Sequence, residues 1–234
     1  MIIAVSGGKG GVGKSTLSLN LGYELDAVIV DADLATADLP AGAGRGPNLH
    51  DVLAGRAEPM AAVETVGPIR LLPCGRTLEG ARASKLVELT RVVERLERQC
   101  GRVVIDCPAG LAQDVGVELY SADVAVLVTM PNRVALHDAY RTRRLALDVE
   151  TPIGSVVLNQ CRSTDAEDLV GQVEAKMGAP VTVIERRADI AAAQAAGRPL
   201  RTESPTSPML EGFDSITWAI ERCERHLSGG IGVL

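Results

Sequence analysis

The chain has 234 residues, enough for one large α/β domain or two small ones. Apolar residues make up 46% and aromatic ones only 2%, so the core must be Val, Ile, Leu and Ala, and a grip on single-stranded nucleic acid through aromatic base stacking is weakened. A net charge of −6 removes any bulk attraction to DNA or anionic lipid, and no apolar run approaches the length of a membrane span.

In chain order, IIAVS (2–6) reads as a buried strand. A glycine-rich loop follows, then a helix over about Lys14–Leu25. AVIVDAD (27–33) is a second strand ending in two aspartates, and PAGAGRGP (40–47) is a mobile loop without periodicity. NLHDVLAG (48–55) predicts a short helix capped by Asn48 and stopped by Gly55, ahead of a third strand in IRLLPCG (69–75). From Ser84 to about Cys100 the spacing of Leu86, Leu89, Val93 and Leu96 predicts an amphipathic helix.

RVVIDCPAG (102–110), VAVLVTMP (124–131) and GSVVLNQ (154–160) are further strands, and PVTVI (180–184) is a shorter one before a helix around Ala188–Ala196. The last helix, about Met209–Leu227, is expected to bury Leu210, Phe213, Ile216, Ile220, Cys223 and Leu227. Continuous apolar strands alternating with helices predict an α/β fold, a mostly parallel twisted sheet with helices on both faces. With no repeat, linker or low-complexity tract, residues 1–234 read as a single domain.

The chemistry concentrates in Gly8-x-x-x-x-Gly13-Lys14-Ser15, a complete phosphate-binding loop between a strand and a helix. The amides of Gly8, Lys9, Gly10, Gly11, Val12, Gly13, Lys14, Ser15 and Thr16 would cradle phosphate oxygens at the start of that helix. Lys14 would bridge the β- and γ-phosphates, and the Ser15 hydroxyl would ligate Mg²⁺. Such a site needs an aspartate at a neighbouring strand end to support the metal; Asp31, Asp33 and Asp106 are candidates. Position 159 is an asparagine in VVLNQCRS, with no Asn-Lys-x-Asp tetrad for guanine, so ATP is expected, with the Asn159 amide on the adenine edge.

Lys9 needs its own explanation, since the chain has only four lysines against 20 arginines. It precedes the tight Gly10–Gly11 pair, so its side chain is expected to point away from its own loop and serve a nucleotide held by a second copy.

These residues resemble the MinD/ParA family of deviant Walker A ATPases, in its MinD-like branch. KGGVGKST (9–16) looks like the deviant loop, VDADLATADL (30–39) like switch I, VVIDCPAG like Walker B with switch II, and VVLNQC (156–161) like the adenine strand. NLHDVLAG, LLPCG and AGRPL (196–200) extend the likeness over almost the whole chain. The resemblance implies that Lys9 reaches across an ATP-bridged homodimer, that Asp31 and Asp106 hold Mg²⁺ through water, and that Asp33 orients the attacking water. It implies a slowly hydrolysing switch that positions or regulates a cellular structure through a protein activator or cargo.

Two departures stand out. Ile184-Glu185-Arg186-Arg187 replaces the family's usual Ile-Pro, which touches the base, and the ending RHLSGGIGVL (225–234) lacks a basic amphipathic helix, so direct membrane contact has weak support. Arg91, Arg95, Arg98 and Arg102 form one helical stripe among Glu88, Glu94 and Glu97, read as a solvated ion-paired face. Arg133, Arg141, Arg143 and Arg144 are the better candidates for a partner patch, and DNA is not expected. Asp38 reads as a cap or part of switch I, and His50, His137 and His226 as structural. Five scattered cysteines without a C-x-x-C pair fit free thiols in a reducing, cytosolic setting. The alternatives are a DNA-partitioning ATPase of ParA type and a nucleotide-binding scaffold without turnover.

Overall fold

Ile2, Ala4 and Ile3, Val5 alternate along the first strand, yet all four are buried. Both faces of the strand are therefore covered, which is what an unbroken apolar run requires. The computed structural model describes residues 1–34, 39, 46–75, 77–110, 113–161 and 166–229. Eight strands form one sheet: β1 Ile2–Ser6, β2 Val28–Asp31, β3 Glu64–Val66, β4 Ile69–Leu72, β5 Val103–Asp106, β6 Val124–Thr129, β7 Ile153–Cys161 and β8 Val181–Glu185. Their spatial order is β3-β4-β2-β5-β1-β6-β7-β8, parallel throughout except for the β3–β4 pair.

Ten helices are described: α1 Lys14–Glu24, α2 Leu49–Leu53, α3 Leu78–Ala83, α4 Leu89–Cys100, α5 Gln113–Tyr120, α6 Arg133–Asp148, α7 Ala166–Met177, α8 Ala188–Ala195, α9 Leu200–Glu203 and α10 Leu210–Gly229. The sheet divides them into two layers. Ile2, Ala4, Val28 and Ile105 face a core shared with Leu89, Val93 and Leu96 of α4 and with Val115 and Leu119 of α5. Ile3, Val5, Val104 and Val126 face the other core, with Leu17 and Leu21 of α1 and Phe213, Ile216 and Ile220 of α10. Each fully buried Leu or Ile contributes about 1.5–3 kcal/mol, so this stacking outweighs any local helix preference.

Three readings need correction. The segment from Ser84 is not one helix: Leu86–Glu88 is a separate 3-10 turn, and α4 begins at Leu89. Lys85 is extended and its N–H donates to the Leu53 carbonyl at 3.4 Å, so the chain docks on α2 before it coils. Leu227, near the end of α10, is 48% exposed. The strand 69–72 is the fourth, since β3 precedes it as an antiparallel edge of three half-exposed residues. The loop 40–45, Asp38 and residues 230–234 lie outside the described residues.

Candidate nucleotide site

The C-terminal ends of β1, β2 and β5 meet at one edge of the sheet. Parallel pairing sets Asp31 directly beside Asp106, and Val5 of β1 pairs with Asp106 on the other side. Two carboxylates and the start of the glycine loop are thus brought together by register alone. Asp31 and Asp106 are both buried, and the Ser18 hydroxyl of α1 donates to Asp106 Oδ1 at 2.8 Å. Ser18 lies one turn beyond Ser15 on the same helical face, so α1 presents two hydroxyls toward the strand-end acids. The i+3 spacing from Ser15 was a signal available in the sequence.

The loop itself is held open from behind. Lys14 is buried, and its Nζ donates to the Lys9 carbonyl at 3.5 Å. Gly13 has φ +100°, in the left-handed region, and a Cβ there would lie 2.1 Å from Asn159 Nδ2. Only glycine fits that backbone and that approach. Asn159 Nδ2 donates to the Val12 carbonyl at 2.8 Å, and Asn159 Oδ1 accepts the Gln160 N–H at 2.9 Å. Gln160, at φ 57° beside a bulge in the β7–β8 pairing, sends Nε2 to the Gly11 carbonyl at 3.2 Å. Asn159 was expected on the adenine edge; these contacts leave it one N–H and one acceptor lone pair for a base. Gln160 had no sequence signal, because a left-handed non-glycine residue at a bulge leaves no pattern.

A cleft of about 490 Å³ opens over this edge. Gly10, Gly11, Gly13, Lys14, Ser15 and Thr16 form its floor, Asp33, Asp106 and Cys107 one side, and Asn159, Gln160 and the segment Glu185–Arg187 the other. Gly8, Lys9, Val12 and Asp31 do not line it. The Lys9 side chain is exposed, so the loop carries one lysine inside and one outside.

Two polar pairs lie beneath the site. Burial, and next the charges of Asp31 and Asp33, push the Cys74 thiol up to about 12. It contacts His50 Nε2 at 3.5 Å, and burial holds that imidazole below its ordinary value, so the pair is neutral. On the α5 side, burial raises the Glu118 carboxyl well above its ordinary value, with Asp114, Asp33 and Asp106 adding to the shift. Cys107 is raised by burial and then by Glu118. Of the histidines, His50 is buried while His137 and His226 are exposed. Among the described residues no three His, Cys, Asp or Glu side chains are grouped to hold a metal.

Of the expected arginine stripe, Arg91, Arg95 and Arg98 lie on α4, paired with Glu88 at 3.0 Å, Glu58 at 2.5 Å and Glu94 at 3.8 Å; Arg102 lies past the end of α4 at Cys100 and pairs instead with Glu224 of α10 at 2.7 Å. On α6, Arg143 Nε donates to the Met177 carbonyl at 2.7 Å, while Arg133, Arg141 and Arg144 are exposed, Arg144 approaching Asp148 at 4.0 Å. No helix among the described residues is long and apolar enough to cross a membrane.

A parallel sheet ending in a glycine loop, with a buried loop lysine and an in-register aspartate pair, defines a P-loop nucleoside triphosphatase. The family model for ParA, described as NUBPL iron-transfer P-loop NTPase, matches residues 1–220. An uncharacterized ATP-binding protein of Methanocaldococcus jannaschii is 32% identical over 229 residues, 92% of this chain and 85% of that protein. The septum site-determining protein MinD of Bacillus subtilis is 32% identical over 152 residues, 59% of this chain and 56% of its own length. Among solved structures, the cell division ATPase MinD of Pyrococcus furiosus superposes with a TM-score of 0.82 at 29% identity, over 94% of this chain and 98% of that one. MinD of Pyrococcus horikoshii, solved with Mg-ADP, gives 0.83 at 28% identity over 94% of each chain. The chain belongs to the MinD/ParA family of P-loop ATPases.

Proposed function

We propose that the chain is a MinD-type ATPase switch, which forms a homodimer with ATP and separates after slow, Mg²⁺-dependent hydrolysis, and so positions or regulates a cellular structure. The observation that carries this reading is the pair of lysines on one loop, Lys14 buried against it and Lys9 exposed outside the cleft. A cation set outside its own phosphate cradle is available to a nucleotide held by a second copy, where added positive charge speeds phosphoryl transfer.

The residues present fit the nucleotide and the metal. A cradle in which a Gly13 side chain would collide, together with a buried ammonium, suits phosphate oxygens. The Ser15 hydroxyl and the carboxylates of Asp31 and Asp106 are the hard oxygen donors that Mg²⁺ takes, directly or through water. When bound, the metal supplies charge neutralisation at the β- and γ-phosphates. Lys14 and the loop amides hold those oxygens, and Asp33 on the cleft wall aims the attacking water. Asn159 retains one donor and one acceptor for adenine.

MinD of Pyrococcus horikoshii was solved with Mg-ADP, and curated relatives include the antiactivator FleN of Pseudomonas aeruginosa and the flagellum site-determining protein YlxH of Helicobacter pylori. Those names support a placement role exercised through a protein activator or cargo. The iron-transfer description of the family model has no C-x-x-C pair to draw on in this chain. The net charge of −6 gives a ParA-like grip on DNA no general support.

The test is Asp33→Ala, sized by light scattering with ADP and then with ATP. Trapped before hydrolysis, the variant should be monomeric with ADP and dimeric with ATP. A monomer under both conditions would overturn the dimer switch.

A further inference from the structure

The cleft has a side that the phosphate chemistry leaves unused. The metal-supporting carboxylate Asp106 lies on β5, and the cleft extends the other way, past the end of β7 to Glu185–Arg187 at the end of β8. β8 is three strands from β1 in the sheet, about 14 Å at ordinary strand spacing. A nucleotide with its phosphates in the loop therefore carries its base toward β8.

A purine ring held there gains affinity from a flat partner for its π-face. None of the chain's five aromatic residues, Tyr23, Tyr120, Tyr140, Phe213 and Trp218, lines the cleft. Planar side-chain groups on that side are the Asn159 and Gln160 amides, the Gln194 amide, the Glu185 carboxylate, whose negative charge disfavours a π-face, and the guanidinium groups of Arg186 and Arg187. The first two are tied to the Val12 and Gly11 carbonyls. Arg187, which precedes α8, is paired to Asp189 at 3.4 Å. Arg186 is exposed on the wall and, among the described residues, makes no side-chain hydrogen bond or ion pair. Its backbone is nonetheless fixed, because its N–H donates to the Cys161 carbonyl at 3.2 Å just past the β7 bulge. An anchored main chain with an unengaged guanidinium suits stacking. An arginine plane binds an aromatic face through both its charge and its flatness, which a lysine does not reproduce.

We infer that Arg186 stacks on the purine base of the bound nucleotide and is a determinant of nucleoside affinity at this site. The inference rests on reading the cleft as a nucleotide site.

The experiment titrates wild-type chain, Arg186→Ala and Arg186→Lys with magnesium ADP and, separately, with magnesium pyrophosphate, which has phosphates and no base. ADP affinity should fall about 3- to 30-fold in Arg186→Ala, the range for an arginine over a ring, and Arg186→Lys should remain weakened. Pyrophosphate affinity should stay at the wild-type level in both. An Arg186→Ala variant that binds ADP as well as wild type overturns the stacking. So does a parallel loss of pyrophosphate binding restored by lysine, which would make Arg186 a phosphate ligand. A wild-type chain that binds neither ligand overturns the nucleotide reading itself, and this inference with it.

Discussion

At the scale of single residues, the site depends on where side chains are missing as much as on where they are present. Gly13 is the clearest case. Alanine at φ +100° costs about 1–3 kcal/mol of backbone strain, and its Cβ would also sit 2.1 Å from the Asn159 amide that ties down Val12. Because Asn159 is a side chain at the rim, it can swing aside while the sheet beneath keeps its register. Gly13→Ala should therefore keep the fold, with a melting temperature a few degrees lower, and lose at least tenfold in ADP affinity by calorimetric titration. Undiminished ADP binding would mean that the loop tolerates a shifted Asn159 and that this amide does not set the cradle. Lys14 was legible from its motif alone. Ser18 left only its i+3 spacing from Ser15 as a signal and Gln160 left none, because each holds a group distant in sequence, an acid 88 positions away and a carbonyl 149 positions away.

At the scale of elements, the strands that pair in parallel were legible because burial on both faces leaves an unbroken apolar run. What was missed has the opposite character. β3 is three residues at the sheet edge, where the polar Glu64 and Thr65 leave no apolar run to read. α3 contains Gly80, a poor helix residue, kept at a point where a Cβ would come 2.8 Å from His50 Nδ1, so tertiary packing overrides local preference. α5 carries a consequence for stability. Its buried face includes Glu118, whose neighbours Asp114, Asp33 and Asp106 are all acidic and whose carboxyl is raised well above 4.5. An acid with a raised folded-state pKa binds its proton more tightly in the native chain. The stability it contributes is then fully present below about 4.5 and is lost as pH climbs through the raised value. Glu118→Gln keeps the shape and cannot ionise. Its stability relative to wild type, by chemical denaturation, should rise as pH climbs above about 4.5, at up to about 1.4 kcal/mol per pH unit while the acid titrates in the unfolded chain only. A constant difference across that range would show that the wild-type carboxyl does not change its protonation between the two states.

At the scale of the whole molecule, the proposed switch makes one chain an incomplete enzyme. The cleft supplies Lys14, Ser15, Asp33 and Asp106 from its own strands and helix, while Lys9 stands outside it. Lys9→Ala should accordingly bind ADP like wild type, since nothing in its own cradle is removed. It should fail to dimerise with ATP and lose turnover on the order of 10³-fold, the lower end of what a transferred cation contributes. Dilution provides a test without any substitution. If each site needs a cation from a second chain, phosphate release per chain must fall as wild type is diluted below the dimer's dissociation constant, and it must be flat if the site is complete alone. Mixing Lys9→Ala with Asp33→Ala sharpens the point: in the mixed pair, the Lys9→Ala subunit keeps Asp33 and receives the partner's lysine. That pair should recover part of the turnover that each variant lacks by itself. Absence of recovery, with mixed dimers present by light scattering, would mean that each lysine serves its own nucleotide and that the exposed position of Lys9 has another cause.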